Sequence, residues 1–308
     1  MSINGILNIN KPVGKTSLGV VSLVRRWSRQ RHIGHAGTLD PMAAGVLPVC
    51  MGQATRLTSF ITESHKTYLA EIELGVSTDT YDTEGSITRR ADPSSVTREQ
   101  VEKLIPSFSG TILQKPPMYS ALKYQGKRLY NLARAGIEIE RPEREVEVFR
   151  LELTGWQPPC FSIEVECGKG TYIRSLAHDM GQALGCGAHL KGLTRTSCGP
   201  FDIADSLTLN QVEDSFQSGY WQDLLRPMDT VLGHLTAVIV SEADERSIGN
   251  GRPIALGNYK DETYCRAYSA DGRLLAVLRF LPHEGLWQPE KVFSAREREV
   301  SNSKGLDT

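Results

Sequence analysis

The sequence predicts an α+β fold, a mixed or antiparallel sheet flanked by helices, with a small β-rich domain toward its C-terminal end. Three observations predict it. Strand-like runs with period-2 alternation lead, clearest at Thr67–Gly75 and Phe161–Cys167. Segments with helical spacing interleave with them, as in Thr16–Arg31. The texture then changes near Thr236, where two strand runs meet around Asp271-Gly272, a dipeptide whose residues tolerate the positive φ of a tight hairpin.

The elements follow in order. Gly5–Asn10 reads as a short strand running into Lys11-Pro12. Thr16 or Ser17 caps the helix Thr16–Arg31, in which Leu18, Val21, Val24 and Trp27 recur at helical spacing. Ile33–Leu39, with two glycines among polar residues, reads as loop. Gly45–Met51 is a short apolar strand and Gln53–Ile61 a second helix. In Thr67–Gly75, Tyr68, Ala70, Ile72 and Leu74 point one way and Thr67, Glu71 and Glu73 the other, with Leu69 out of pattern. Asp79–Ser86 is polar and turn-rich. Thr97-x-x-Gln100 is a capping box opening a helix through Ile105. A strand at Thr111–Leu113 stops at Pro116-Pro117. Residues 118–145 form an insert, first basic and then acidic, with one helix at Gly126–Ala135 ended by Gly136. Strands Glu145–Thr154 and Phe161–Cys167, the helix Gly170–Leu184 and the strand Leu190–Thr196 follow. We divide the chain into a main domain, 1–235, and a β-rich domain, 236–295, holding a helix Glu242–Ile248 and strands Thr263–Tyr268 and Leu274–Leu281. Residues 296–308, polar and charged, read as a disordered tail.

Apolar residues make up 40% of the 308, enough to bury a core and to exclude global disorder. The net charge of -1 does not advertise a polyanion partner, but the distribution does. Over residues 1–67, eight Lys or Arg oppose two acids, Asp40 and Glu63. Residues 115–136 add five more basic groups and no acid. A nearly neutral chain can therefore present a basic face to phosphates, although solvated helix faces would give the same counts. The six cysteines form no C-x-x-C pair, so no zinc ribbon or disulfide framework is evident. No apolar run approaches the roughly 18 residues that span a membrane, and the N-terminus lacks the order of a signal peptide. A cytoplasmic setting without membrane contact is the expectation.

Several residues carry two readings. Gly14-Lys15-Thr16-Ser17 looks like the end of a phosphate-cradling loop, but Ile9 stands where that pattern needs its first glycine. Asp40 is the only acid in the first 62 residues, among basic neighbours that would keep a nucleophilic carboxylate ionised. Followed by Pro41, it reads also as the N-cap of a helix, which by itself is the commoner role of such a residue. His35 is a phosphate contact or a packed loop residue, and His32-x-x-His35 lacks a third metal ligand. Tyr68 packs in the core or stacks on a base. Arg174, opening a helix, pairs with a buried carboxylate or makes a surface ion pair of little energetic worth.

Together these motifs resemble those of the TruB-type tRNA pseudouridine synthases. Asn8-Ile9-Asn10-Lys11-Pro12-x-Gly14-x-Thr16-Ser17 resembles that family's opening motif, and Gly34-His35-Ala36-Gly37-Thr38-Leu39-Asp40-Pro41-x-Ala43-x-Gly45-Val46-Leu47 its catalytic motif. Lys66-x-Tyr68, Lys169-Gly170-Thr171-Tyr172-Ile173-Arg174 and Pro116-x-x-Tyr119-Ser120-Ala121-x-Lys123-x-x-Gly126 match three further motifs, the last an RNA-contacting insert. The likeness covers about residues 3–235, and 236–295 looks like the small RNA-binding domain of PUA type seen in many members.

The resemblance implies the pseudouridine synthase fold and an isomerase acting on the T-arm of tRNA as a monomer, without cofactor or metal. It would flip a uridine out of the T-loop, at position 55, and rejoin the base through C5. Asp40 would be the nucleophile, Tyr68 would stack on the base and assist proton loss, and Arg174 would hold Asp40. His35, Tyr172, Leu193, Lys11 and Lys123 would contact the RNA, Leu193 as part of an apolar pocket wall. Two other classes compete: a non-catalytic tRNA-binding or tRNA-folding module, and a glycosidase-type hydrolase. The latter needs two flanking carboxylates, and Asp40 has no acidic neighbour within twenty residues in sequence.

Overall fold

The computed structural model describes residues 3–120, 122–257 and 262–293. The strands of its first half are β1 (Gly5–Lys11), β2 (Ile33–His35), β3 (Ala43–Met51), β4 (Lys66–Leu74), β5 (Val76–Thr78), β6 (Ile87–Arg90), β7 (Gly110–Gln114), β8 (Lys123–Tyr124) and β9 (Lys127–Arg128). Then come β10 (Arg144–Gln157), β11 (Cys160–Cys167), β12 (Ala188–Cys198), β13 (Phe201–Asp202) and β14 (Leu207–Thr208). The main sheet runs β14-β1-β3-β12-β4-β11-β10-β7, with β2 added to β3 and β13 to β12. Most pairs are antiparallel, but β12 is parallel to β3 and β14 to β1, so the sheet is mixed as the sequence predicts. The α-helices are α1 (Ser17–Ser28), α2 (Thr58–Glu63), α3 (Arg98–Leu104), α4 (Leu129–Arg134), α5 (Ile173–Ala183), α6 (Leu209–Ser218) and α7 (Glu242–Gly249).

The apolar patterning explains which strands lie where. In β11, Phe161, Ile163, Val165 and Cys167 are buried and their neighbours only partly so, the alternation of a strand with one covered face. β1 and β3 are buried nearly throughout because both faces are covered. Leu7, Ile9, Leu47 and Val49 join the core that includes Val20, Val21 and Val24 of α1. Ile6, Val46 and Cys50 face the other way, into a core with Leu57 and Ile61.

A second, four-stranded sheet follows: β15 (Thr236–Ile239), β16 (Tyr264–Tyr268), β17 (Leu274–Leu281) and β18 (Leu286–Val292), with β15 parallel to β16. It has its own core around the fully buried Trp287. It is also docked on the main sheet. Val277 and Phe293 lie in the core that holds Ile6, Leu57 and Ile61, each buried side chain contributing about 1.5–3 kcal/mol. The Tyr268 hydroxyl donates to Asp229 at 2.7 Å and Arg266 Nε to the Leu235 carbonyl at 3.1 Å.

Several boundaries differ from the sequence expectation. Ile33–His35, expected as loop, is a strand, because its backbone finds partners in Val49, Cys50 and Met51 despite Gly34 at its centre. Gln53–Ile61 divides into a 3₁₀ helix, Gly52–Leu57, entered through Gly52 at φ +60 against Asn4, and α2. The helix expected at Gly126–Ala135 starts only at Leu129. Gly126, at φ +81, instead turns the hairpin between β8 and β9. Helix α6 was not foreseen, although Thr208 and Gln211 form a capping box. The tail at 296–308 lies outside the described residues.

Candidate active site

The loop between β2 and β3 carries Asp40, and its neighbours are tied down on both sides. Ser17 Oγ, in the first turn of α1, donates to the Leu39 carbonyl at 3.0 Å and accepts from the Leu39 amide at 2.9 Å. The Gly14 amide donates to the Pro41 carbonyl at 2.8 Å. The Lys11 ammonium donates to the carbonyls of Pro12 (3.0 Å), Lys15 (2.6 Å) and Pro41 (3.4 Å). The opening motif of the sequence is therefore a bracket for the Asp40 loop. Thr16 is the residue that caps α1, accepting from the Gly19 amide. No helix follows Asp40: Pro41 and Met42 form a turn into β3, so the N-cap reading of Asp40 does not hold.

Asp40 opens into a cleft of about 940 Å³, lined also by His35, Tyr68, Tyr172, Arg174 and Leu193. These residues come from β2, β4, α5 and β12, and they are among the site residues singled out in the sequence. Arg174, 5% exposed, places Nε 3.0 Å from Asp40 Oδ2 and Nη1 3.4 Å from Asp82 Oδ2. Its remaining donors reach the carbonyls of Tyr119 (2.8 Å) and Thr80 (3.4 Å), so the guanidinium is enclosed rather than a surface ion pair. Tyr172 precedes α5 and is pinned through its backbone by Gln114, which accepts from its amide at 2.7 Å and donates to its carbonyl at 3.0 Å.

The electrostatics are less simple than a lone carboxylate in a positive field. Burial pushes the Asp40 carboxyl above its ordinary range, Arg174 opposes this, and the Asp82 carboxylate adds to it. Burial likewise pushes the Tyr68 phenol up to about 12, against the pull of Arg195, so near neutral pH it is a neutral hydroxyl. His35 is lowered by burial and then by the charge of Arg195, and its Nδ1 has no hydrogen-bond partner among the described residues. A neutral imidazole suits contact with a base or sugar better than pairing with phosphate.

Two expected RNA contacts stand apart. Lys11 has no exposed surface, and burial lowers it to about 8. Its ammonium is spent on loop carbonyls and does not face solvent as a phosphate contact would. The Lys123 side chain lies outside the described residues. Sequence reading also missed two residues. Asp82 falls in a stretch legible only as polar turn, and nothing in its spacing distinguishes it from Asp79. Arg195 is a charged residue inside a strand, a signal that in retrospect asks what it pairs with. Folding does supply the distant carboxylate that a hydrolase would need, but Asp82 is pinned. Its Oδ1 accepts from Thr80 Oγ1 at 2.5 Å and the Glu84 amide at 3.0 Å, and its other oxygen faces Arg174. It is not placed to activate water across a sugar.

A sheet of this topology, with one arginine-held aspartate facing a tyrosine across an open cleft, has the form of a pseudouridine synthase, an enzyme that isomerises uridine in RNA. Comparison with known proteins agrees. Residues 25–173 match the TruB family pseudouridylate synthase N-terminal domain, and residues 174–233 match the tRNA pseudouridylate synthase B C-terminal domain. The chain belongs to the TruB family. It is 48% identical over 292 residues to the tRNA pseudouridine synthase B of Dehalococcoides mccartyi, covering 94% of this chain and 97% of that one. It is 40% identical to the protein of the same name from Bacillus licheniformis, at the same coverage. A chain in the crystal structure of a Cbf5-Nop10-Gar1 complex superposes with a TM-score of 0.73 at 27% identity, over 95% of this chain and 86% of that one. The two domain matches together run to residue 233, so the four-stranded sheet lies beyond them. Among the described residues no helix is long and apolar enough to cross a membrane.

Proposed function

We propose that this protein converts uridine 55 in the T-loop of tRNA to pseudouridine, with Asp40 as the nucleophile. The observation that carries the reading is the contact of Arg174 Nε with Asp40 Oδ2 at 3.0 Å, inside a cleft that also presents Tyr68. The relatives named tRNA pseudouridine synthase B, 48% and 40% identical, support tRNA as substrate.

The steps follow from the groups at hand. The target uridine is extruded from the loop at a cost of a few kcal/mol, offset by phosphate contacts and by stacking on an aromatic ring such as Tyr68, worth about 1–3 kcal/mol. Leu193 and Tyr172 close the walls around the base. Arg174 orients the Asp40 carboxylate and favours its ionised form, so that it can attack as the glycosidic bond breaks. The base turns within the cleft and rejoins the sugar through C5, the bond made to Asp40 breaks and returns its carboxylate, and the C5 proton then leaves to water. His35, neutral, contacts the flipped-out loop. The Thr236–Val292 sheet serves as a PUA-type module that grips the tRNA outside the T-loop, and the enzyme acts as a cytoplasmic monomer.

The test is to incubate the protein with unmodified tRNA transcript and map pseudouridine by carbodiimide adduct formation and primer extension. A single new stop at T-loop position 55 is expected. A stop elsewhere would refute the position, and tight binding without any stop would make the protein a tRNA-binding module.

A further inference from the structure

Arg195 is one of the largest fully buried side chains, 1% exposed, and among the described residues it forms no ion pair. A buried guanidinium without a carboxylate is a poor stabilising device. What it supplies is geometry. Its Nε donates to the Val46 carbonyl at 2.8 Å and its Nη2 to the Gly37 carbonyl at 2.9 Å. Those carbonyls lie on either side of Asp40 along the chain, so one rigid fork closes the loop that carries the candidate nucleophile.

The strand register adds the second half. On β12, Arg195 is the cross-strand partner of Gly45 on β3 and of Tyr68 on β4. Cross-strand partners of an antiparallel pair put their side chains on one face, and the Arg195 charge lies near enough to the Tyr68 phenol to oppose the upward push of its burial. Arg195 thus spans the row between the Asp40 loop and the tyrosine. The fit is close. A Cβ on Gly37, at φ +74, would meet Arg195 Nη1 at 3.0 Å, and a Cβ on Gly45, at φ +102, would meet the Arg195 carbonyl oxygen at 2.2 Å. Glycine at both positions is what lets the strand and its arginine approach the loop.

We propose that Arg195 is a positioning residue for the isomerisation, holding the Asp40 loop in one fixed relation to the strand position that carries Tyr68, from beneath the cleft. The proposal rests on the reading of Asp40 as nucleophile. It does not need Arg195 to touch the RNA, and Arg195 does not line the cleft.

The test is steady-state tritium release from C5-labelled tRNA transcript by Arg195→Lys and Arg195→Met, alone and combined with Tyr68→Phe, with Asp40→Asn run alongside. Lysine keeps the charge but cannot hold the two loop carbonyls with one rigid planar fork. For Arg195→Lys we expect kcat to fall on the order of 10²-fold, as for a misplacement of about 1 Å, with KM for tRNA changed less than about threefold. In the Tyr68→Phe background the same change should cost several-fold less, because part of the relation it maintains is already lost. Arg195→Met should resemble Arg195→Lys in kcat if it folds, and Arg195→Lys alone decides if it does not. An unchanged kcat in Arg195→Lys, a loss matched by KM, or effects that multiply without coupling would overturn the proposal. Turnover by Asp40→Asn would sink the underlying reading instead, whereas a dead Asp40→Asn beside a fully active Arg195→Lys sinks only the role of Arg195.

Discussion

Replacing Arg174 by glutamine removes the cation facing Asp40 while leaving a polar side chain in its place. Two unit charges about 4 Å apart interact by roughly 4 kcal/mol at an effective dielectric near 20, equivalent to about three pH units of carboxyl titration. The Asp40 side chain is 36% exposed, so solvent screens part of this, and about 1.4–2.7 kcal/mol is the working figure. The sign is fixed by the chemistry. Arg174 pulls the Asp40 carboxyl down, and Asp82 pushes it up. Without the arginine, burial and Asp82 act upward against only the weaker pull of Lys11. If ionised Asp40 is the reacting form, the acid limb of the rate profile follows its titration and moves to higher pH. The assay is kcat from pH 5 to 9 on unmodified tRNA transcript. Relative to wild type, Arg174→Gln should lose about 10–100-fold more rate at the acid end of that range than at the alkaline end. Stranding buried Asp82 also costs about 3–5 kcal/mol of stability, so thermal unfolding is followed in parallel, and Arg174→Gln/Asp82→Asn serves if the single variant does not fold. A uniform loss with the acid limb unmoved would refute the coupling of Arg174 to Asp40 ionisation.

Two further predictions follow from the same geometry. Lys11→Met should lower kcat by loosening the Asp40 loop, while the slope of log affinity for tRNA against log salt stays within error of wild type; a slope reduced by about 0.7–0.9 would mean that Lys11 meets a phosphate after all. Gly45→Ala places a methyl group 2.2 Å from the Arg195 carbonyl oxygen at a φ of +102, and should cost about 2–6 kcal/mol in urea unfolding; a cost under about 1 kcal/mol would show that β3 and β12 can part easily.

Much of this site is legible in the sequence, for definite reasons. Asp40 stands out because it is a lone acid in a long basic stretch, and Arg174 because it follows a glycine turn at the start of a helix. The mixed sheet is legible because alternation in strands such as Cys160–Cys167 reports one covered face. What sequence cannot supply is the identity of distant partners. Arg174 is shared between Asp40 and Asp82, which are far apart along the chain, and only the folded turn at 79–86 brings the second acid in. Lys11 shows the converse. As a lysine in a basic segment it reads as a phosphate contact, yet tertiary structure encloses its ammonium among three carbonyls. The strand at Ile33–His35 is hidden for a similar reason, since its pairing with β3 outweighs the local preference of Gly34.

The most direct test of the account is tritium release from C5-labelled, unmodified tRNA by wild type and by Asp40→Asn, with tRNA binding measured for both. Wild type should release tritium, and Asp40→Asn should bind tRNA with similar affinity and release none. Measurable turnover by Asp40→Asn would contradict the assignment of Asp40 as nucleophile and leave the cleft in need of another reacting group.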